Sequence, residues 1–148
     1  MLAVCRDIRA TYEASGTGPA MAKFITHVVH QGSTPDDYLD RPAPDPRRFG
    51  LPTHDDGDRT DPLMRNIPTC QAYRPDYDAL AALGDRVVLA YGVESGQESP
   101  ARSARAVAER IGRAAVEFPS HHAGFLGGEF GQHGDPEAFA ERLRTALA

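Results

Sequence analysis

Long apolar runs are missing from this 148-residue chain. Nothing approaches the roughly 18 consecutive apolar residues that cross a bilayer, and the N-terminus lacks the basic, apolar and small-residue series of a secretory signal. A cytoplasmic protein without a membrane partner is expected. Cysteine is scarce: Cys5 and Cys70 form neither a framework nor a C-x-x-C spacing, which excludes a disulfide mini-protein and predicts two reduced thiols. Positive charge is short as well, with 16 Lys and Arg against 21 Asp and Glu and a net charge of -5. Binding nucleic acid needs a basic stripe, and none is present. What remains, 41% hydrophobic and 25% charged residues, is the composition of an ordinary folded domain and not of a disordered tail.

The charge is unevenly spread. From Gln31 to Pro62 there are eight Asp and four Arg, and six of the twelve prolines. This stretch reads as a polar, proline-broken linker outside any core. Before it, Leu2, Cys5, Ile8 and Tyr12 recur at helical spacing from Met1 to about Glu13, with no residue available to cap the start. Ser15-Gly16-Thr17-Gly18 breaks that pattern. Pro19 then opens a second helix, with Met21, Phe24, Ile25, Val28 and Val29 predicted on one apolar face.

After the linker, a short helical turn is expected over Leu63 to Ile67, and a helix from Pro75 to Leu83 closed by Gly84 in the left-handed position. The period then changes. Arg86-Val87-Val88-Leu89-Ala90-Tyr91 reads as a buried strand. Ser99-Pro100 is expected to cap a helix carrying Ala104, Val107, Ala108 and Ile111 and ending at Gly112. Ala114 to Phe118 reads as a second strand, and Asp135-Pro136 opens a last helix with Phe139, Leu143 and Leu147 inward. The fold class is thus α/β: a helical segment over 1–85, containing the linker at 31–62, followed by a β-α-β-α unit over 86–148. A strand-helix-strand unit of this length implies a parallel pair. Two parallel strands have open edges and little core, so further strands are expected from the first half, which shows no strand pattern, from another copy, or from another polypeptide region.

Sites on α/β sheets lie at the carboxyl ends of strands. Here those loops are Gly92-Val93-Glu94-Ser95-Gly96 and Pro119-Ser120-His121-His122-Ala123-Gly124-Phe125. A carboxylate and a histidine at the tops of adjacent strands can pair, the acid orienting the imidazole so that its other nitrogen acts as a general base.

The stretch from Tyr73-Arg74-Pro75 through Leu83-Gly84-Asp85-Arg86-Val87-Val88-Leu89-Ala90 to Gly92, Glu94 and Ser95, and then Val116-Glu117-Phe118-Pro119-Ser120-His121-His122-Ala123-Gly124-Phe125-Leu126-Gly127, resembles the C-terminal part of bacterial α/β-hydrolase fold proteins. Thr11-Tyr12-Glu13 and Gly18-Pro19-Ala20-Met21 look like the helical cap region of such proteins. The resemblance implies that the two strands are the seventh and eighth of that fold. It implies too that His122 is the catalytic base, that Glu94 is the triad acid, and that the substrate is an ester or similar acyl compound. It implies no metal or organic cofactor. The family's order of nucleophile, acid, base agrees with Glu94 preceding His122.

The nucleophile is absent. None of the six serines has glycine two residues to either side, as G-x-S-x-G requires, and the oxyanion-hole segment and the first six strands are missing too. Without a nucleophile the Glu-His pair has nothing to activate. The chain alone is therefore expected to be inactive, with an upstream frame or a separate chain supplying the rest. A rival expectation is a non-catalytic module that dimerises, or pairs with a hydrolase N-terminal half, through strand edges. His121 is the alternative base, and Glu98 a poor alternative acid. A metal-dependent protein is a further rival, drawing on the run His54-Asp55-Asp56-Gly57-Asp58, on His27 and His30, or on His121, Glu129 and His133. The acidic run lacks the order of a calcium loop and the histidines lack a zinc spacing, so solvated or packing roles are expected.

Overall fold

The computed structural model describes residues 1–129 and 132–148. The chain divides into two compact units, Met1–Arg74 and Pro75–Ala148.

The first unit is built on three helices: α1 (Leu2–Ser15), α2 (Thr17–Val28) and α3 (Pro62–Ala72). Val4, Cys5, Ile8 and Tyr12 repeat at helical spacing and give α1 one buried face. They pack with Ala20 of α2 and with Met64 and Ile67 of α3. Ile8, Tyr12 and Met64 are fully enclosed, each removal from water contributing about 1.5–3 kcal/mol. Burial pushes the Cys5 thiol up from its ordinary value. Gly16 separates α1 from α2 with φ +80° and ψ -172°, a conformation open essentially to glycine alone. One residue therefore turns the chain.

The expected face of α2 is rotated in the structure. Gly18, Ala20, Ala22 and His27 are its buried residues, Met21 and Phe24 lean on the core from its margin, and Val29 is 52% exposed. Small side chains set how closely neighbouring backbone can approach. At Gly18 an added methyl would lie 1.8 Å from the carbonyl oxygen of Pro52.

None of residues 31–62 is buried, so the segment lies outside the core as expected, but it packs closely against the helices. The segment forms 3-10 turns at Asp36–Asp40 and Pro46–Phe49, supplies Tyr38 to the core margin, and ends in a clamp. Arg59 pairs with Asp55 at 2.7 Å, donates to the carbonyl of Glu13 at 3.2 Å, and lies over the Tyr12 ring. The Tyr12 hydroxyl accepts the Asp61 amide at 3.1 Å. Asp61 then caps α3 through Leu63 and Met64, with Pro62 opening the helix. α3 runs eleven residues, past Pro68, well beyond the predicted turn. Burial of Met64 and Ile67 stabilises it despite the amide that proline lacks.

The second unit is mixed: α4 (Tyr77–Ala82), β1 (Ala90–Gly92), α5 (Ser99–Arg110), β2 (Val116–Phe118) and α6 (Pro136–Leu147). The two strands are parallel, with Ala90 opposite Val116, Tyr91 opposite Glu117 and Gly92 opposite Phe118. Each is three residues long, shorter than expected. Beyond the Leu89 carbonyl, which accepts from Val116, residues 87–88 lie outside the ladder. The first expected cap is displaced: Glu98 is the N-cap of α5, without a side-chain bond, and Ser99 is already helical. The second holds, with Asp135 accepting the Ala138 amide at 3.0 Å. α6 buries none of its residues, and Leu143 and Leu147 are exposed against expectation. Its attachment is lateral, through Arg142 donating to the Glu117 carbonyl at 2.8 Å and Phe139 against Phe118.

Among the described residues no helix is long and apolar enough to cross a membrane. Both cysteines are free thiols, Cys5 buried and Cys70 exposed.

Candidate functional site

Parallel pairing brings the loops after β1 and β2 to the same end of the sheet. They are joined by a backbone bond in which the Glu94 amide donates to the Ser120 carbonyl at 3.0 Å. Two local features make this possible. Gly92, the last residue of β1, has no side chain, and a methyl there would fall 2.6 Å from the His121 carbonyl. Ser120 is buried and has φ +66°, the left-handed region that costs a non-glycine residue free energy and recurs at functional sites. No periodicity marks Ser120 in the sequence.

The two histidines differ. His121 Nδ1 accepts the Ala123 amide at 3.1 Å, which leaves the proton on Nε2, and Nε2 donates to the His133 carbonyl at 3.2 Å. Both nitrogens of His121 are thereby spent on the loop. His122 is exposed, and both histidines line a pocket of about 270 Å³ whose apolar walls come from Phe118, Phe125, Phe139 and Leu143. Tyr91 forms the wall on the β1 side. Its hydroxyl donates to Glu117 Oε1 at 2.7 Å, and Arg105 lies over its ring at 4.6 Å. The Tyr91, Glu117 and Arg105 set was not expected from the sequence, although the strand register makes Tyr91 and Glu117 neighbours.

Glu94 is exposed, and its side chain makes no hydrogen bond or ion pair with His122. The backbone brings the two loops together; the side chains remain apart. Glu98 is the buried acid of this loop, and its Oε2 has no hydrogen-bond partner.

The other candidate groups are engaged locally. Asp55, Asp56 and Asp58 accept the amides of Gly57, Asp58 and Thr60, and Arg59 holds Asp55 down to a pKa of about 2. Glu129 Oε2 accepts the Gly127 amide at 2.6 Å, and backbone hydrogen bonds hold its carboxyl below the usual range. His27 and His30 each meet the Tyr38 ring edge-on. Among the described residues no three His, Cys, Asp or Glu side chains converge as a metal-binding group would.

No protein-family model matches the chain, and neither a curated protein nor a solved structure matches it.

Proposed function

We propose that the chain is the cap and C-terminal catalytic segment of a serine-type hydrolase acting on an ester or similar acyl substrate. His122 is the general base and Glu94 its orienter. The serine and oxyanion hole come from polypeptide outside these residues, since no G-x-S-x-G is present. The observation that carries this reading is the division of labour between adjacent histidines. Both line the apolar pocket, but the two ring nitrogens of His121 are consumed by the loop, whereas His122 is exposed, beside a loop bearing Glu94. An acyl chain needs such a wall, and a general base needs a ring nitrogen open to the reacting proton. We place the reaction in the cytoplasm, in keeping with two free thiols.

The test is p-nitrophenyl butyrate hydrolysis. The chain alone should hydrolyse it no faster than buffer. Fused behind a hydrolase segment carrying the first six strands and the nucleophile elbow, it should turn over, and His122→Ala should lower that turnover by about 10²–10⁴-fold. Turnover by the isolated chain that survives His122→Ala would overturn the assignment.

A second reading, a module that pairs with itself or with a hydrolase N-terminal half, is favoured by a different observation. Val88, Val93, Phe125, Leu143 and Leu147 of the second unit are exposed, and a two-stranded sheet leaves two unpaired edges. Light scattering of the purified chain tests it, because a stable, well-folded monomer is incompatible with obligate pairing.

A further inference from the structure

The first unit contains a larger concavity than the one beside His122, a groove of about 670 Å³. Its floor is α1, α2 and the two residues that follow α2, through Val4, Thr26, Val29 and His30. Its far side is the proline-rich segment, which curves back with Tyr38, Leu39, Pro42, Pro44 and Phe49 facing the same space. Val29, Leu39 and Phe49 are all exposed large apolar side chains, and they converge on this one groove. A size of this order suits a small organic molecule.

The charges in the groove are unequal once internal pairs are set aside. Asp7 is taken by Lys23 at 2.7 Å. Asp45 is taken by Arg47 through contacts of 2.7–3.0 Å, which hold its carboxyl below the usual range. One guanidinium group, that of Arg48, is left over, and a second, that of Arg41, is only loosely paired. Arg41 pairs with exposed Asp37 at 3.6 Å and lies over the Tyr38 ring; the Arg48 guanidinium makes no hydrogen bond or ion pair, and its charge adds to that of Arg47 in holding the Asp45 carboxyl down. This cationic surplus sits within a chain of net charge -5. An anion drawn to the protein is therefore drawn by the groove against the overall field.

We propose that this groove binds an amphipathic organic monoanion, a medium-chain carboxylate, with the carboxylate between Arg41 and Arg48 and the hydrocarbon along Val29, Leu39 and Phe49. A guanidinium offers a planar fork to a carboxylate, and the apolar walls remove the chain from water. The proposal stands on the first unit alone and is independent of the hydrolase reading.

Octanoate, 1-octanol and octylammonium separate charge from hydrophobicity at constant chain length. Each is titrated into the ¹⁵N-labelled full-length chain while amide shifts are followed. Octanoate should bind saturably and shift the amides of Thr26, His30, Tyr38 and Phe49. The alcohol and the amine should bind about tenfold or more weakly. In the Arg41→Gln/Arg48→Gln variant, octanoate should fall to the level of octanol. Both arginines are exposed, and circular dichroism checks that the helices persist. Independently of any variant, raising NaCl from 0.05 to 0.5 M should weaken octanoate and leave octanol unchanged. Equal affinity for octanoate and octanol, an octanoate affinity indifferent to salt, shifts confined to other residues, or no saturable shift would each overturn the proposal.

Discussion

The Glu94 amide donates to the Ser120 carbonyl at 3.0 Å, so that the loop after β1 is held against the loop after β2. That bond requires the chain to pass over Gly92 with His121 carbonyl atoms 2.6 Å from where a β-carbon would stand. A side chain there forces one loop away from the other.

Gly92→Ala is accordingly expected to destabilise the second unit by about 1–3 kcal/mol, the usual range for forced overpacking. The lost stability should appear as a lower urea midpoint. Amide shifts of His121 and His122 should move with it, and an unchanged midpoint would mean that the loops do not meet as described.

The adjacent histidines should separate stability from activity. His121→Ala removes two loop hydrogen bonds and should cost about 1 kcal/mol. His122→Ala removes an exposed ring and should change stability by less than about 0.5 kcal/mol. Paired thermal melts of the two variants check this; equal losses would contradict the division of roles.

Tyr12→Phe keeps the ring in the core and deletes only the acceptor for the Asp61 amide. Loss of one such bond should lower stability by about 1–2 kcal/mol, readable by urea denaturation. It should also loosen the start of α3, seen as faster hydrogen exchange at Leu63 and Met64, whose amides Asp61 caps.

Acid should release the clamp at the end of the proline-rich segment. The Asp55 carboxyl is held at about 2, against an ordinary 3.8, by hydrogen bonding with Arg59. A carboxyl whose folded value is depressed contributes stability that is fully present above its ordinary value and is lost as pH falls through the folded one. The loss is therefore expected between about pH 4 and pH 2. A carboxyl-carbon NMR titration of Asp55 gives its midpoint. Asp55→Asn should flatten that part of the stability curve.

Features resting on neighbours in sequence were legible before the structure. The Asp135-Pro136 cap, the left-handed Gly84, the helical spacing of Cys5, Ile8 and Tyr12, and a parallel pair enclosing a helix were among them. α2 was less legible. Its apolar stripe pointed to Val28 and Val29, but Gly18 and Ala20 are where other backbone comes close, and small residues carry no hydrophobic signal. The acidic, proline-rich composition of residues 31–62 likewise concealed Tyr38 at the core margin and the groove charges of Arg41 and Arg48.

The sequence by itself determined that helices form in these stretches and that two strands enclosing a helix run parallel. Caps, turns and periodicity act over a few residues, so their free energies are set by local chain order. Only the tertiary structure decided which histidine is spent on the loop, how short the paired ladder is, and that the proline-rich segment closes over α2. Those outcomes depend on close approaches between distant residues, Gly92 with His121 and Gly18 with Pro52. Hard-core repulsion at such points is set by how folded segments meet, and no local pattern encodes it.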